Sequence, residues 1–213
     1  MRPVVAIVPV KALDSAKSRL ESSLDADRRI ALVVAMLRGV LRALESSGAI
    51  VGRLVVSPDS VALAIAREAG SDVLRQRGDG LNEALEQARL AVGPGVAIVA
   101  LSADLPLLDP DDVWSLMAAA ARAPVVIAPD RAETGTNALA LAADVRLPFA
   151  FGHHSFLRHL IAADAADLKV EIFRSRGTAT DLDTPSDLEE LQRAGWPPIG
   201  ELITEPMRTE IAR

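Results

Sequence analysis

Two stretches of this chain, residues 4–10 (VVAIVPV) and 96–101 (VAIVAL), are short, β-branched and almost continuously apolar, the pattern of strands covered on both faces of a parallel sheet. Elsewhere apolar positions repeat at helical spacing. Asp25 precedes Ile30, Val33, Val34, Leu37, Val40, Leu41 and Leu44, and Ser46-Ser47-Gly48 follows them, which predicts a capped helix with a defined stop. Residues 54–56 read as a strand ending at Ser57-Pro58-Asp59, after which Ser60 can cap a helix running to Ala69, with Gly70 as its left-handed stop. A short strand near residues 72–74 leads through Gly78-Asp79-Gly80 into a helix over 81–92, closed by Gly93-Pro94-Gly95. Asp109-Pro110-Asp111-Asp112 combines a cap, a first-turn proline and acids matched to the helix dipole. Thr184-Pro185-Ser186-Asp187 repeats that signal before a helix ending near Gly195. Residues 125–128 and 138–141 read as strands whose mutual direction the pattern leaves open, on either side of a polar loop. Phe156, Leu157, Leu160 and Ile161 mark a short helix, and residues 169–173 a further strand.

Strands alternating with helices predict an α/β sandwich with a largely parallel sheet, whose ligands bind beyond the carboxyl ends of the strands. The 213 residues, half of them apolar, suit a single domain over 1–196 followed by a tail, 197–213, expected to be partly disordered or packed on a partner. The formal charge of −6 argues against a broad nucleic-acid face, so any anion site has to be local. Cysteine is absent, which excludes thiolate metal ligands, disulfides and cysteine nucleophiles and fits a reducing cytoplasm. No apolar run approaches the roughly 20 residues of a membrane span, and Lys11 and Asp14 interrupt the one stretch that faintly resembles a signal peptide. The alanine-rich helix and apolar tail permit a homodimer.

Candidate chemistry gathers at the expected strand ends. Lys11, Lys17 and Arg19 put three cations in nine residues directly after the first strand, where they could hold a triphosphate or a phosphorylated acid, although a solvated loop has the same composition. Asp104 follows the strand over 96–101 and Asp183 lies near another strand end. Two such carboxylates suit magnesium, which leaves its other positions to water and phosphates, but either could equally be a turn or cap residue. Gly78 to Asn82 could bring backbone close to a nucleotide, yet it is neither GxGxxG nor a P-loop. The loop Glu133-Thr134-Gly135-Thr136-Asn137 offers hydroxyls and backbone donors, and Gly152 to Ser155 could receive a carboxylate or phosphate at a helix start, Ser155 being also an ordinary cap candidate. His153, His154 and His159 do not read as a metal set: HExxH spacing is missing and adjacent loop histidines are expected to point apart. A GxSxG elbow is missing too.

The ordered set VPVKALDSAKSRL, GLNEAL, LSADLPLL, ETGTNALAL, FGHHSFLRH and DLDTPSDL resembles the 2-phospholactate guanylyltransferase family of deazaflavin coenzyme F-420 biosynthesis, including its phosphoenolpyruvate-using bacterial branch. The resemblance spans about residues 3–195. It implies a three-layer α/β/α sandwich with a mainly parallel mixed sheet of the nucleotide-diphospho-sugar transferase (GT-A) type. Its substrates would be GTP and a three-carbon phospho-acid: phosphoenolpyruvate, 2-phospho-L-lactate or 3-phospho-D-glycerate. It further implies Asp104 and Asp183 as Mg2+ ligands, with Lys17, Arg19 and Asp104 at the reacting phosphates. Thr136, Gly152 and Ser155 would form the phospho-acid pocket, and Lys11, Pro58, Leu81 and Asn82 the nucleotide side. The first loop lacks the paired glycines of sugar-nucleotide pyrophosphorylases, which shifts weight onto its side-chain cations. The alternatives are another nucleotidyltransferase of the same fold, of molybdopterin or sugar-nucleotide type, and a non-catalytic nucleotide-binding module.

Overall fold

In the computed structural model, which describes residues 3–197, β1 (Val4–Pro9) sends Val4, Ala6 and Val8 into one apolar layer and Ile7 into the other. That two-sided burial is why its sequence shows no polar alternation. Chain order continues with β2 (Gly52–Ser57), β3 (Asp72–Arg75), β4 (Ala97–Leu101), β5 (Val125–Pro129), β6 (Thr136–Leu141) and β7 (Val170–Ile172). They form one sheet in the order β3-β2-β1-β4-β6-β5-β7. All neighbouring pairs are parallel except β4–β6 and β5–β6, so β6 alone runs against the others. This is the three-layer sandwich with a mainly parallel mixed sheet.

The helices are α1 (Ala26–Ser46), α2 (Ser60–Glu68), α3 (Leu81–Val92), α4 (Pro110–Ala120), α5 (Ser155–Ala165), the four-residue α6 (Arg176–Ala179) and α7 (Pro185–Arg193). α1, α2, α4 and α7 contribute to the first core layer, while α3 and α5 cover the second with Val145, Leu147, Phe149 and Phe151. Among the described residues no helix is long and apolar enough to cross a membrane. The tail expected over 197–213 lies outside the described residues beyond 197.

Caps follow the sequence signals with two exceptions. Asp25 accepts from the Arg28 N–H, and Asp109 and Thr184 each build a full capping box with an aspartate three residues on. α2, however, is capped by Asp59 instead of Ser60: Asp59 Oδ1 accepts from the N–H groups of Val61 and Ala62. A carboxylate one residue earlier reaches two orphan donors that Ser60, already inside the helix, cannot. Ser155 is likewise the first helical residue and not a cap, because His154 takes the cap position in a left-handed conformation without a side-chain cap bond.

The antiparallel β6 decides where the site can form. Parallel strands deliver their carboxyl ends to one edge of the sheet, and a strand running the other way presents its first residue there. The register pairs Leu101, the last residue of β4, with Ala138, so Thr136 stands at the same edge as the ends of β1 and β4.

Candidate active site

The segment after β1 is not a solvated loop. Leu13 and Leu20 are buried on two short 3-10 turns, Leu13–Ser15 and Ser18–Leu20, and Ala16 is buried between them. The Leu13 N–H donates to Asp59 Oδ2 at 3.0 Å, tying this segment to the end of β2. Lys17 joins the two turns with φ of 55°, a left-handed conformation that a non-glycine residue holds only where surrounding structure enforces it. Its side chain is 9% exposed, whereas that of Arg19 is 74% exposed. The three cations thus separate into one inward-held ammonium and two solvent-facing charges, Lys11 and Arg19.

Asp104 and Asp183, 79 residues apart in sequence, converge on that ammonium. Lys17 Nζ donates to Asp104 Oδ2 at 2.5 Å and to Asp183 Oδ1 at 2.6 Å, and Arg19 Nη1 lies 3.8 Å from Asp183 Oδ2. The backbone brings them together: the Leu182 N–H donates to the Asp104 carbonyl at 3.2 Å. Asp183 does not cap the last helix, since Thr184 does that and leaves the Asp183 carboxylate to the cleft. Burial alone would lower the Lys17 pKa, but Asp104 and Asp183 outweigh it and hold the ammonium above its ordinary range. Burial pushes Asp183 upward, and Lys17, with help from Arg19 and Lys11, pulls it net below the usual carboxylate value.

Sequence reading passed over a third acid, Asp181. Burial, then the neighbouring charges of Asp104 and Asp183, raise its pKa against the Asn137 amide, which donates to it at 3.4 Å. Its signal was the period of two around fully buried Leu182, which turns Asp181 and Asp183 away from the core together. Two carboxylates already focused on one cation are the hard oxygen donors that magnesium prefers. Among the described residues no group of three His, Asp or Glu side chains forms a ready metal cage. Asp104 and Asp183 therefore fit an ion that takes its other ligands from water and phosphates.

Lys17, Asp104 and Asp183 line a cleft of about 650 Å³. Lys11, Lys17, Arg19, Asp104 and Asp183 are in its lining, and so are Pro58, Asp79, Gly80, Leu81 and Phe151. Asn82 is not in the lining. Its amide is committed to Phe151, donating to the carbonyl at 3.1 Å and accepting from the N–H at 2.8 Å, so it positions the loop before Gly152.

Thr136, Gly152 and Ser155 are also outside the cleft lining and form a neighbouring cluster. Gly152 has φ of 109°, a conformation that favours glycine, and its carbonyl accepts from the Ser155 N–H at 3.0 Å. Ser155 and Thr136 are buried, and the Phe156 N–H donates to the Thr134 carbonyl at 3.2 Å, which seats α5 against the β5–β6 turn. That turn is built on Asp130, whose carboxylate accepts from the N–H groups of Thr134 and Gly135. A Cβ on Gly135 would stand 2.6 Å from Asp130 Oδ2, so this glycine is required by close approach. His153 and His154 do lie together, ring centroids 3.7 Å apart, on the exposed side of the loop, because the left-handed turn at His154 folds its ring back. His159 is separate and wholly buried: Thr136 Oγ1 is 3.0 Å from its Nδ1, and the Ala150 N–H donates to its Nε2 at 3.0 Å.

The family model described as "Guanylyl transferase CofC like" matches residues 4–196. The chain is 47% identical over 196 residues to the phosphoenolpyruvate guanylyltransferase of Rubrobacter xylanophilus, covering 90% of this chain and 95% of that one. It is 41% identical over 199 residues to the protein of the same name from Sphaerobacter thermophilus, covering 92% and 95%. Among solved structures, a protein described as a nucleotide-diphospho-sugar transferase from Desulfovibrio desulfuricans G20 superposes with a TM-score of 0.77 at 19% identity over 92% of this chain and 88% of that one. A CMP:2-keto-3-deoxy-manno-octonic acid synthetase complexed with CTP does so at 0.64 and 16% identity, over 91% and 98%. At such identities the likeness is one of fold.

Proposed function

The chain belongs to the CofC-like guanylyl transferases, and from that membership and the geometry of the cleft we propose that it moves GMP from GTP onto the phosphate of phosphoenolpyruvate, with Mg2+, as a step of coenzyme F-420 biosynthesis. The acceptor comes from the names of the relatives at 41–47% identity. A phosphate oxygen of phosphoenolpyruvate attacks the α-phosphorus of GTP. The new bond joins that oxygen to phosphorus, the bond to the β-phosphate bridging oxygen breaks, and pyrophosphate leaves with the electron pair. The attacking phosphate is already ionised, so neither a protein nucleophile nor a general base is needed.

The chain's task is then to bring two anions together and screen them. Among the described residues Lys17 is the cation held away from solvent at the carboxylate pair, and the exposed Lys11 and Arg19 add positive charge to the cleft lining. Pro58 and Leu81 give the cleft an apolar surface for the nucleoside, and the acceptor is assigned to the neighbouring cluster of Thr136, Gly152 and Ser155, outside that lining. Mg2+ held by Asp104 and Asp183 would supply charge neutralisation at the transferred phosphoryl group.

The observation that carries this reading is the meeting of Lys17, Asp104 and Asp183 in one cleft at the strand ends. The test crosses four nucleoside triphosphates with phosphoenolpyruvate, 2-phospho-L-lactate and 3-phospho-D-glycerate, following pyrophosphate and product mass. Pyrophosphate release with GTP and phosphoenolpyruvate, giving a product of summed mass less pyrophosphate, is expected. Release with a different pair would reassign the substrates, and release with none would remove the transferase reading.

A further inference from the structure

We infer that His159 is a positioning residue: it holds the Thr136 hydroxyl in one orientation, so that this hydroxyl donates its proton to the phospho-acid acceptor. The inference rests on the reading of Thr136 as an acceptor contact.

A backbone N–H can only donate, and the Ala150 N–H points at Nε2 of His159 at 3.0 Å, so that nitrogen offers a lone pair and carries no hydrogen. A neutral imidazole then bears its single proton on Nδ1. Nδ1 lies 3.0 Å from Thr136 Oγ1, which therefore accepts, and the hydroxyl's own proton must point elsewhere. A phosphorylated carboxylic acid brings only acceptor oxygens, and a hydroxyl whose lone pair is already engaged by an N–H is set to serve them.

The ring has little freedom to do otherwise. It is fully buried, and Phe151 meets it edge to face with centroids 5.1 Å apart. Burial, aided by the nearby Arg158 charge, lowers the His159 pKa to about 4, so the imidazole is neutral near pH 7. His159 also lies one helical turn after Ser155, and Ala150 stands two residues before Gly152. One side chain thereby ties Thr136 to the segment two residues before Gly152 and to the helix that Ser155 begins.

A buried bolt and a proton-orienting residue predict different results. In 15N imidazole NMR of the intact protein, His159 should appear as the Nδ1–H tautomer and remain so from pH 8 to 5.5. An Nε2–H tautomer, or a ring titrating near its ordinary value, would overturn the inference.

Kinetics with phosphoenolpyruvate then separate the hydroxyl from its orientation. Thr136→Val should raise the acceptor KM about tenfold, the loss of one hydrogen bond to a charged partner, with the GTP KM unchanged. His159→Gln, which can keep an acceptor for Ala150 but supplies no donor at the Nδ1 position, should raise the acceptor KM by a similar factor. His159→Asn restores a donor at that position and should recover most of the loss, and the Thr136→Val/His159→Gln double variant should be no worse than Thr136→Val alone. If Thr136→Val leaves the acceptor KM unchanged, the acceptor reading of Thr136 fails and the inference with it. If Thr136→Val weakens the acceptor but His159→Gln does not, or the two effects multiply, the inference alone fails.

Discussion

Lys17 occupies the focus of two carboxylates, which makes a lysine the resident counter-charge where a divalent ion would be expected to sit. Asp104→Asn should keep the fold and lower kcat by on the order of 100- to 1,000-fold, because it removes one charge at the reacting phosphorus. Steady-state turnover beside an unchanged circular dichroism spectrum checks this, and near-normal kcat would take Asp104 out of the reaction. Lys17→Met should cost about 1 kcal/mol of stability, well below the figure for a fully buried pair, because the Asp183 side chain is 44% exposed. The same variant should gain more in melting temperature than the native chain when Mg2+ is added, since the ammonium no longer competes for those oxygens. Equal gains would mean that the lysine and the ion do not share a place. Lys11, Lys17, Arg19, Asp104 and Asp183 were legible in the sequence because each closely follows an apolar run or precedes a helix signal. Asp181 and His159 were not: their weight comes from burial beside charges and backbone groups distant in sequence, and the bond that Asn82 makes to Phe151, 69 positions away, is likewise invisible in one dimension.

The elements themselves were easier to read than what their ends do. All seven described strands stood out as apolar runs or β-rich patches close to their observed bounds, and proline-and-acid signals placed the starts of α4 and α7. Two features escaped. The direction of β6 follows from a tight turn on Asp130 and Gly135, which local composition identifies only as a loop, and the turns over 13–20 depend on Leu13, Ala16 and Leu20 finding the core. Asp59 shows how an element end becomes part of a site, since one carboxylate oxygen caps α2 while the other holds the Leu13 N–H. Asp59→Ala should therefore do two things. It should cost about 1–2 kcal/mol in chemical denaturation through the lost cap, and it should raise the GTP KM several-fold because the segment carrying Lys17 loses its tether. Asp59→Asn, which keeps the cap oxygen, should lose less stability. A GTP KM insensitive to both changes would show that the segment is held by its apolar contacts alone.

At the scale of the molecule, the parallel strands and, among the described residues, the one antiparallel strand bring the cation cleft and the cluster around Thr136 and Ser155 to a common edge, and His159 is the buried titratable group that spans the second of these. Its lowered pKa has a global consequence. The unfolded chain takes up a proton on this histidine near pH 6.5, whereas the native chain resists until about pH 4. Between those values the unfolded state binds more protons, so native stability rises with pH, is complete above 6.5 and is progressively lost as pH falls towards 4. The 2.5-unit gap corresponds to roughly 3 kcal/mol at most. Asp183, with its lowered pKa, adds acid lability only below the ordinary carboxylate value, and Asp181, with its raised pKa, works in the opposite direction just above it. Subtraction isolates the histidine: His159→Gln cannot titrate, so its denaturation free energy should be flatter than that of the native chain from pH 6.5 to 4.5 and should run parallel to it above pH 7. Curves parallel throughout would mean that the imidazole protonates as readily in the folded protein as in the unfolded one. A ring that protonated so readily could not hold an unprotonated Nε2 against the Ala150 N–H as pH falls, and the orientation of Thr136 would be lost with it.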